Sequence, residues 1–241
     1  MIELRLEKPT DYLETENVIR EAFWNHYSPA CSDHYLIHIM RDCSSFVDEL
    51  DIVAIEGDKI VGASMCLKSY IHGDDGIEYE VLSLGPIGVL PEYQGKGIGG
   101  MMIAKTKEIA KNLGFRGILL CGDPDYYTRQ GFVAAEKYGI RNSENMYADA
   151  LHACELYENA FDDVHGCYYE DDIYNVDETL VKEFDKGFPY KEEAGVVNIR
   201  REGTKNYYYL DSQSTSLRNV IELWKIAEEM MSFCPHNRKK E

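Results

Sequence analysis

Ile2, Leu4 and Leu6 alternate with Glu3 and Arg5 and predict a strand at the start of the chain. Pro9-Thr10-Asp11 interrupts it, and Thr10 or Asp11 is positioned to cap a helix running to about Phe23. A loop over 24–33 precedes a second helical stretch, His34–Arg41. Leu50–Ile55 and Lys59–Leu67 are apolar runs joined by Glu56-Gly57-Asp58, the pattern of an antiparallel hairpin. After the polar His72–Gly76 comes the run Val81–Val89, then a glycine-rich turn, then a helical pattern from Ile98 to Leu113 that stops at Gly114. Ile118–Cys121 reads as a short buried strand. Strand, helix and strand therefore make one right-handed parallel unit. Pro124 suits the first position of a short helix carrying Tyr126 and Tyr127. Phe132–Ile140 and Tyr147–Leu156 are predicted as closing strands.

From about residue 157 the pattern changes. Asp162-Asp163 and Glu170-Asp171-Asp172 are acidic and loop-like, and Phe184–Pro189 closes that stretch. Residues 196–199 and 207–210 are strand-like, and the tyrosines at 207–209 are expected to pack. Ser214–Phe233 places Leu217, Val220, Ile221, Trp224 and Ala227 on one helical face. The expected organisation is a domain over 1–156 and a C-terminal extension over 157–241 packed on it.

The formal net charge of −18 lacks the basic footprint of bulk nucleic-acid binding, so no nucleic-acid partner is expected. It is compatible with a cationic substrate, and also with simple solubility. The seven cysteines, at 31, 43, 66, 121, 154, 167 and 234, form no Cys-x-x-Cys pair, so reduced thiols are expected rather than a disulfide framework or a zinc site. His34 and His38 share a helical face but lack a third ligand, and no metal is expected. The N-terminus has no signal-peptide core, and no apolar run approaches the ~20 residues of a membrane span. The expected location is cytoplasmic, with no membrane partner; a homodimer is compatible with the sequence.

The turn Gln94-Gly95-Lys96-Gly97-Ile98-Gly99-Gly100 exposes backbone N–H groups at a helix start, a seat for a phosphate or pyrophosphate. An ATP loop needs Ser or Thr after the lysine, and Gly97 stands there. Gly95-x-Gly97-x-x-Gly100 matches a dinucleotide pattern, with Asp123 as an acid downstream, but Leu90–Gln94 separates the strand from the first glycine.

A third reading fits these residues better. Val89-x-Pro91-x-x-Gln94-Gly95-Lys96-Gly97-Ile98-Gly99 resembles the acetyl-CoA signature of the GNAT superfamily of N-acetyltransferases. Tyr127-x-Arg129-x-Gly131-Phe132 resembles a second motif of that family. Gly122–Tyr127 and Phe184–Pro189 are similar to its YhbS-like branch, which carries the resemblance to about residue 190. The resemblance implies an α/β fold: a mixed, mostly antiparallel sheet, a fourth strand splayed from the fifth, and helices on both faces. It implies acetyl-CoA as donor and a primary amine of a small molecule or peptide as acceptor. Gly85-Pro86 and Gly88 suit the distortion of the fourth strand.

By the same resemblance, CoA is bound by Ile87, Gly88, Val89, Gln94, Gly95, Lys96, Gly97, Ile98, Gly99, Gly100, Asp123 and Tyr127. The Val89 N–H polarises the thioester carbonyl. Tyr127 matches the acid that protonates the leaving sulfur. Glu80 is the candidate base, with Glu78 as a neighbour and Ser83 in the more central position. Cys121 could carry an acyl group, but a buried inert thiol is the simpler role. A non-catalytic acyl-CoA-binding module on the same fold stays open as the alternative, and behind it a dinucleotide-binding protein.

Overall fold

The computed structural model describes residues 1–26 and 29–193, and the backbone alone of 197–202 and 205–210. In chain order its elements are β1 (Ile2–Leu6), α1 (Tyr12–Phe23), α2 (Asp33–Met40), β2 (Ile52–Glu56), β3 (Lys59–Gly73), β4 (Glu78–Val89), α3 (Ile98–Asn112), β5 (Gly117–Cys121), α4 (Pro124–Arg129), β6 (Val133–Ala134), β7 (Ile140–Arg141), β8 (Leu151–Glu155), β9 (Gly166–Tyr169), α5 (Glu178–Asp185) and the hairpin β10 (Val197–Glu202) and β11 (Lys205–Leu210). The predicted helix at 214–233 lies outside the described residues.

The main sheet runs β1-β2-β3-β4-β5-β8-β6. Its neighbours are antiparallel except β4 and β5. Helices cover both faces, as adjacent β3/β4 pairs demonstrate. A Cβ on Gly88 would meet Ile19, Ala22 and Phe23 of α1, whereas one on Gly62 would meet Met102 of α3. Consecutive strand positions point to opposite faces, so these contacts mark an α1/α2 face and an α3 face. Helix α1 buries Thr15, Val18 and Ile19, the helical spacing of one stripe. Each large aliphatic side chain buried this way contributes about 1.5–3 kcal/mol.

The far half of the sheet curls. Strand β9 pairs with β3 at Tyr70–Gly73, beyond the part of β3 that β2 covers, and β7 pairs with β9. The predicted strand over 132–140 is broken by a 3-10 turn at Ala135–Tyr138. This turn lets β6 join β8 at one edge while β7 joins β9 at the other. Ile71, Val81, Leu119, Ala153, Phe161 and Val164 fill the space so enclosed. The strand predicted from Tyr147 begins only at Leu151.

The stretch after 156 is built into this body. A boundary at 156 falls between β8 and β9, two strands of one sheet. The acidic stretch read as loop contains β9 and α5, the latter capped by Asp177, whose side chain accepts from the Thr179 N–H at 2.7 Å. The end of α5 docks on α1 and α2. Buried Arg20 donates to both carboxylate oxygens of Asp185 at 2.6 and 3.0 Å, and Phe184 and Phe188 pack on the His34 ring. His34 Nε2 lies 3.1 Å from Asp185, and His38 Nδ1 lies 2.9 Å from Glu16; burial pushes His34 down to about 4, so its ring packs there as a neutral imidazole.

Candidate active site

Pairing between β4 and β5 is confined to Leu82–Ile118 and Ser83–Leu119. Beyond Ser83 the strands part. On its other side β4 stays paired with β3, but Ser64 opposes Ile87 and Cys66 opposes Leu84, so Gly85 and Pro86 together face Met65 alone. This is a bulge at the dipeptide expected to distort the strand.

The bulge sets which way the backbone points beyond it. Leu90 N–H donates to the Val61 carbonyl at 2.9 Å. Antiparallel alternation then turns Gly88 toward β3 as well, and turns the N–H and C=O groups of Ile87 and Val89 toward the edge that β5 has left. Gln94 Nε2 reaches the Val89 carbonyl from that edge at 3.0 Å. The open backbone edge is thus Ile87 and Val89. Gly88, expected among the backbone contacts of the cofactor, instead gives the close approach of α1, with Cβ room of only 2.9–3.2 Å to its side chains.

The edge leads through Pro91–Tyr93 into the glycine loop. Gly97 caps α3 at φ 82°, a left-handed conformation that favours glycine. The first helical bond runs from the Met101 N–H to the Gly97 carbonyl at 3.0 Å, so the amides of Ile98, Gly99 and Gly100 ahead of it are not consumed by the helix. Gln94, Gly95, Lys96 and Gly97 are exposed. The Lys96 ammonium rests 4.6 Å from the centroid of Tyr93.

Helix α4 starts at the end of β5. Asp123 caps it, accepting from the Asp125 N–H at 2.9 Å, so this carboxylate has a local role where a cofactor contact was expected. Tyr127 packs edge-on against Tyr126 and Phe132, and its ring lies against Gly122, where a Cβ would come within 2.2 Å. One turn of helix with a fixed cap therefore holds the Tyr127 side chain at the mouth of the β4/β5 gap.

On the α1/α2 face, Tyr127 and Ser83–Ile87 line a cavity of about 770 Å³. Further walls come from Phe23 of α1, from the α1–α2 connection and the start of α2 (Pro29–Asp33 and Leu36), from Cys121, and from the segment after β9, including Glu170 and Tyr174. The Tyr174 hydroxyl donates to the Gly85 carbonyl at 3.0 Å, joining that segment to the bulge. Ser83 is 2% exposed and stands against the hydroxyls of Tyr168 and Tyr174. Cys121 is exposed at the cavity wall, where a buried thiol was expected; desolvation, then the charge of Glu170, pushes its thiol up to about 12, which disfavours the thiolate that an acyl-cysteine would need. Burial raises the Asp33 carboxyl to about 6, and partial desolvation raises Glu170 from its ordinary value.

Glu80 is not part of this cavity. It precedes Ser83 by an odd number of positions, so its side chain leaves the sheet on the α3 face, where it is exposed and accepts from the Tyr70 hydroxyl at 3.4 Å. The same parity excludes Glu78. The carboxylate that does line the cavity, Glu170, was hidden in the run Glu170-Asp171-Asp172. Asp171 is anchored by Ser45 at 2.5 Å and by the Ile173 N–H at 3.0 Å, which leaves Glu170 on the cavity side.

Residues 14–132 match the model of the acetyltransferase (GNAT) family. The chain is 22% identical over 164 residues to the uncharacterized N-acetyltransferase YhbS of Escherichia coli strain K12, covering 68% of this chain and 92% of that protein. A 49-residue match at 41% identity to the uncharacterized N-acetyltransferase YjhQ of the same strain spans 20% of this chain and 27% of that one. The fold is similar to the crystal structure of E. coli YhbS in complex with CoA, with a TM-score of 0.65 and 19% identity over 73% of this chain and 92% of that one. It is also similar to a GNAT family acetyltransferase of Brucella melitensis in complex with acetyl-CoA, with a TM-score of 0.59 and 25% identity over 72% and 98% of the chains.

Proposed function

Because residues 14–132 belong to the GNAT acetyltransferase family, we propose that the chain transfers an acetyl group from acetyl-CoA to a primary amine of a small molecule or peptide. The observation that carries this reading is one continuous polar track. The open edge at Ile87 and Val89 runs into the amides of Ile98–Gly100, and the cavity lies on the other side of the same gap. Bound acetyl-CoA supplies an acyl thioester, activated toward attack by an amine.

The residues fit that donor. The α3 N-terminus, with its unconsumed amides and helix dipole, holds the pyrophosphate. Ile87 offers its N–H and C=O groups, and Val89 its N–H, to the amides of pantetheine, as a strand edge does. The Val89 N–H is directed at the gap, where a carbonyl oxygen gains negative charge during attack. Tyr127 reaches the gap from α4 and gives its proton to the leaving sulfur. Proximity of the amine to the thioester supplies much of the remaining acceleration.

The test is release of CoA thiol from acetyl-CoA over a panel of amines, with Tyr127→Phe alongside. The expected result is amine-dependent release that falls at least tenfold in Tyr127→Phe while CoA binding is retained. Tight CoA binding with no acetylated amine would favour the non-catalytic module. Unchanged turnover of Tyr127→Phe across the pH range would remove Tyr127 as the acid.

A further inference from the structure

The walls of the cavity carry four carboxylates, Asp33, Glu170, Glu178 and Glu193, against one lysine, Lys182. Most have visible occupations or stand on exposed turns. Asp33 opens α2 and receives the Cys31 thiol at 3.9 Å. Glu170 differs. It is exposed to solvent at the cavity wall, and among the described residues it has no hydrogen bond and no ion pair. The groups that feel its charge are Cys121 at the end of β5, Tyr168 on β9 and Tyr174 on the turn after it, all neutral at pH 7. Unpaired and open to the cavity, this carboxylate is placed to meet a cation that enters it. It shares this cavity with Tyr127 and with the bulge at Gly85-Pro86.

We propose that Glu170 receives the ammonium group of the acceptor in this cavity and takes its proton. This assignment rests on the transferase reading above and replaces Glu80. The partial enclosure that raises its pKa makes this carboxylate a somewhat better proton acceptor than a free one. The ammonium gives one proton to the Glu170 carboxylate and becomes the free amine. The amine lone pair forms the C–N bond at the acyl carbon, and the C–S bond breaks with its electron pair on sulfur. The sulfur takes the Tyr127 phenol proton, and the second proton leaving the nitrogen restores the phenol. The proton on Glu170 passes to solvent. The sum is one amide, one thiol and one released proton per ammonium consumed. The acceptor is therefore a cationic alkylamine, admitted in its charged form.

The experiment uses the full chain with Glu170→Gln, Glu170→Asp, Asp33→Asn and Glu80→Gln, each checked by thermal melting. Propylamine, 1,4-diaminobutane and spermidine are the probes. Their binding to the CoA-loaded protein is measured by calorimetry, and thiol release is followed from pH 6 to 10. Glu170→Gln is expected to weaken amine binding about tenfold and to lower kcat/KM for the amine by about 100-fold at pH 7. The deficit shrinks as pH approaches the amine's own pKa, KM for acetyl-CoA is unchanged, and Glu170→Asp recovers part of the loss. Glu80→Gln matches the wild type. The proposal is overturned if Glu170→Gln binds every probe as the wild type does, if its pH profile coincides with the wild type, or if Asp33→Asn alone produces these effects. Binding that depends on Glu170 without any thiol release would support the ammonium receptor and defeat the transferase reading. Thiol release that ignores Glu170 would do the reverse.

Discussion

Gln94 donates its side-chain N–H to the Val89 carbonyl at 3.0 Å, so the glycine loop is tied to the last residue of the strand that precedes it. The bond fixes the distance between the open strand edge and the amides of α3. It also occupies one carbonyl of that edge and leaves the Val89 N–H available.

Gln94→Ala should therefore loosen donor binding more than chemistry. A typical net hydrogen bond of about 0.5–1.5 kcal/mol corresponds to roughly a 2–10-fold rise in KM for acetyl-CoA. Steady-state kinetics on any accepted amine should give that rise with kcat nearly unchanged. A kcat loss with constant KM would show that Gln94 acts elsewhere.

Gly88 has the opposite character, since its neighbours leave no room. Gly88→Val would drive methyl groups into Ile19, Ala22 and Phe23 and should cost about 1–3 kcal/mol, read as a lower denaturation midpoint. Gly57, at a hairpin turn, has nothing within 4 Å of its Cβ position, so Gly57→Asn should stay near wild type and serves as the comparison.

These two positions illustrate what the sequence could disclose. The hairpin, the glycine loop, α3 and the capped helix with Tyr127 depend on local spacing and turn chemistry, and all were legible. Glu80 failed as a site residue for lack of one fact, the parity of β4 relative to the cavity face, which a bulge can invert. Strand β9 has four residues and no alternation, and its pairing with β3 joins positions about a hundred residues apart. Glu170 follows from that pairing, so no local pattern could point to it.

The contact between Arg20 and Asp185 should govern the stability of the segment after β9. The Arg20 side chain is 1% exposed and Asp185 27%, and the guanidinium also stacks 4.2 Å from the centroid of Trp24. Removing one partner leaves a buried charge, at a cost of about 3–5 kcal/mol; with Asp185 partly solvated the lower end applies. Asp185→Ala should lower Tm by roughly 6–12 °C in calorimetry. Lys186→Ala, which breaks only the exposed pair with Glu183, should move it by less than about 2 °C.

A second buried charge cluster predicts a pH dependence. Burial, and then the neighbouring Glu7 carboxylate, raises Asp51 from 3.8 to about 9, while Arg41 binds Glu7 through two bonds of 2.8 and 2.9 Å. The folded state holds this proton more tightly than the unfolded state. Its contribution to stability is complete below the ordinary carboxylate pKa and is lost progressively as pH rises toward 9. Denaturant midpoints should fall over that window, and Asp51→Asn should flatten the slope. A wild-type midpoint that rises across the window would show Asp51 ionised in the native state.

The segment that carries Glu170 and Tyr174 lies beyond residues 14–132, the stretch matched by the family domain. The proposed donor track belongs to the first stretch and one wall of the proposed acceptor cavity to the second, and they meet where the Tyr174 hydroxyl bonds the Gly85 carbonyl. On the proposed reading, choice of acceptor can vary by exchange of the segment from β9 to α5, leaving the residues proposed to hold CoA untouched. In modular terms, the chain is a fixed socket with a replaceable collar.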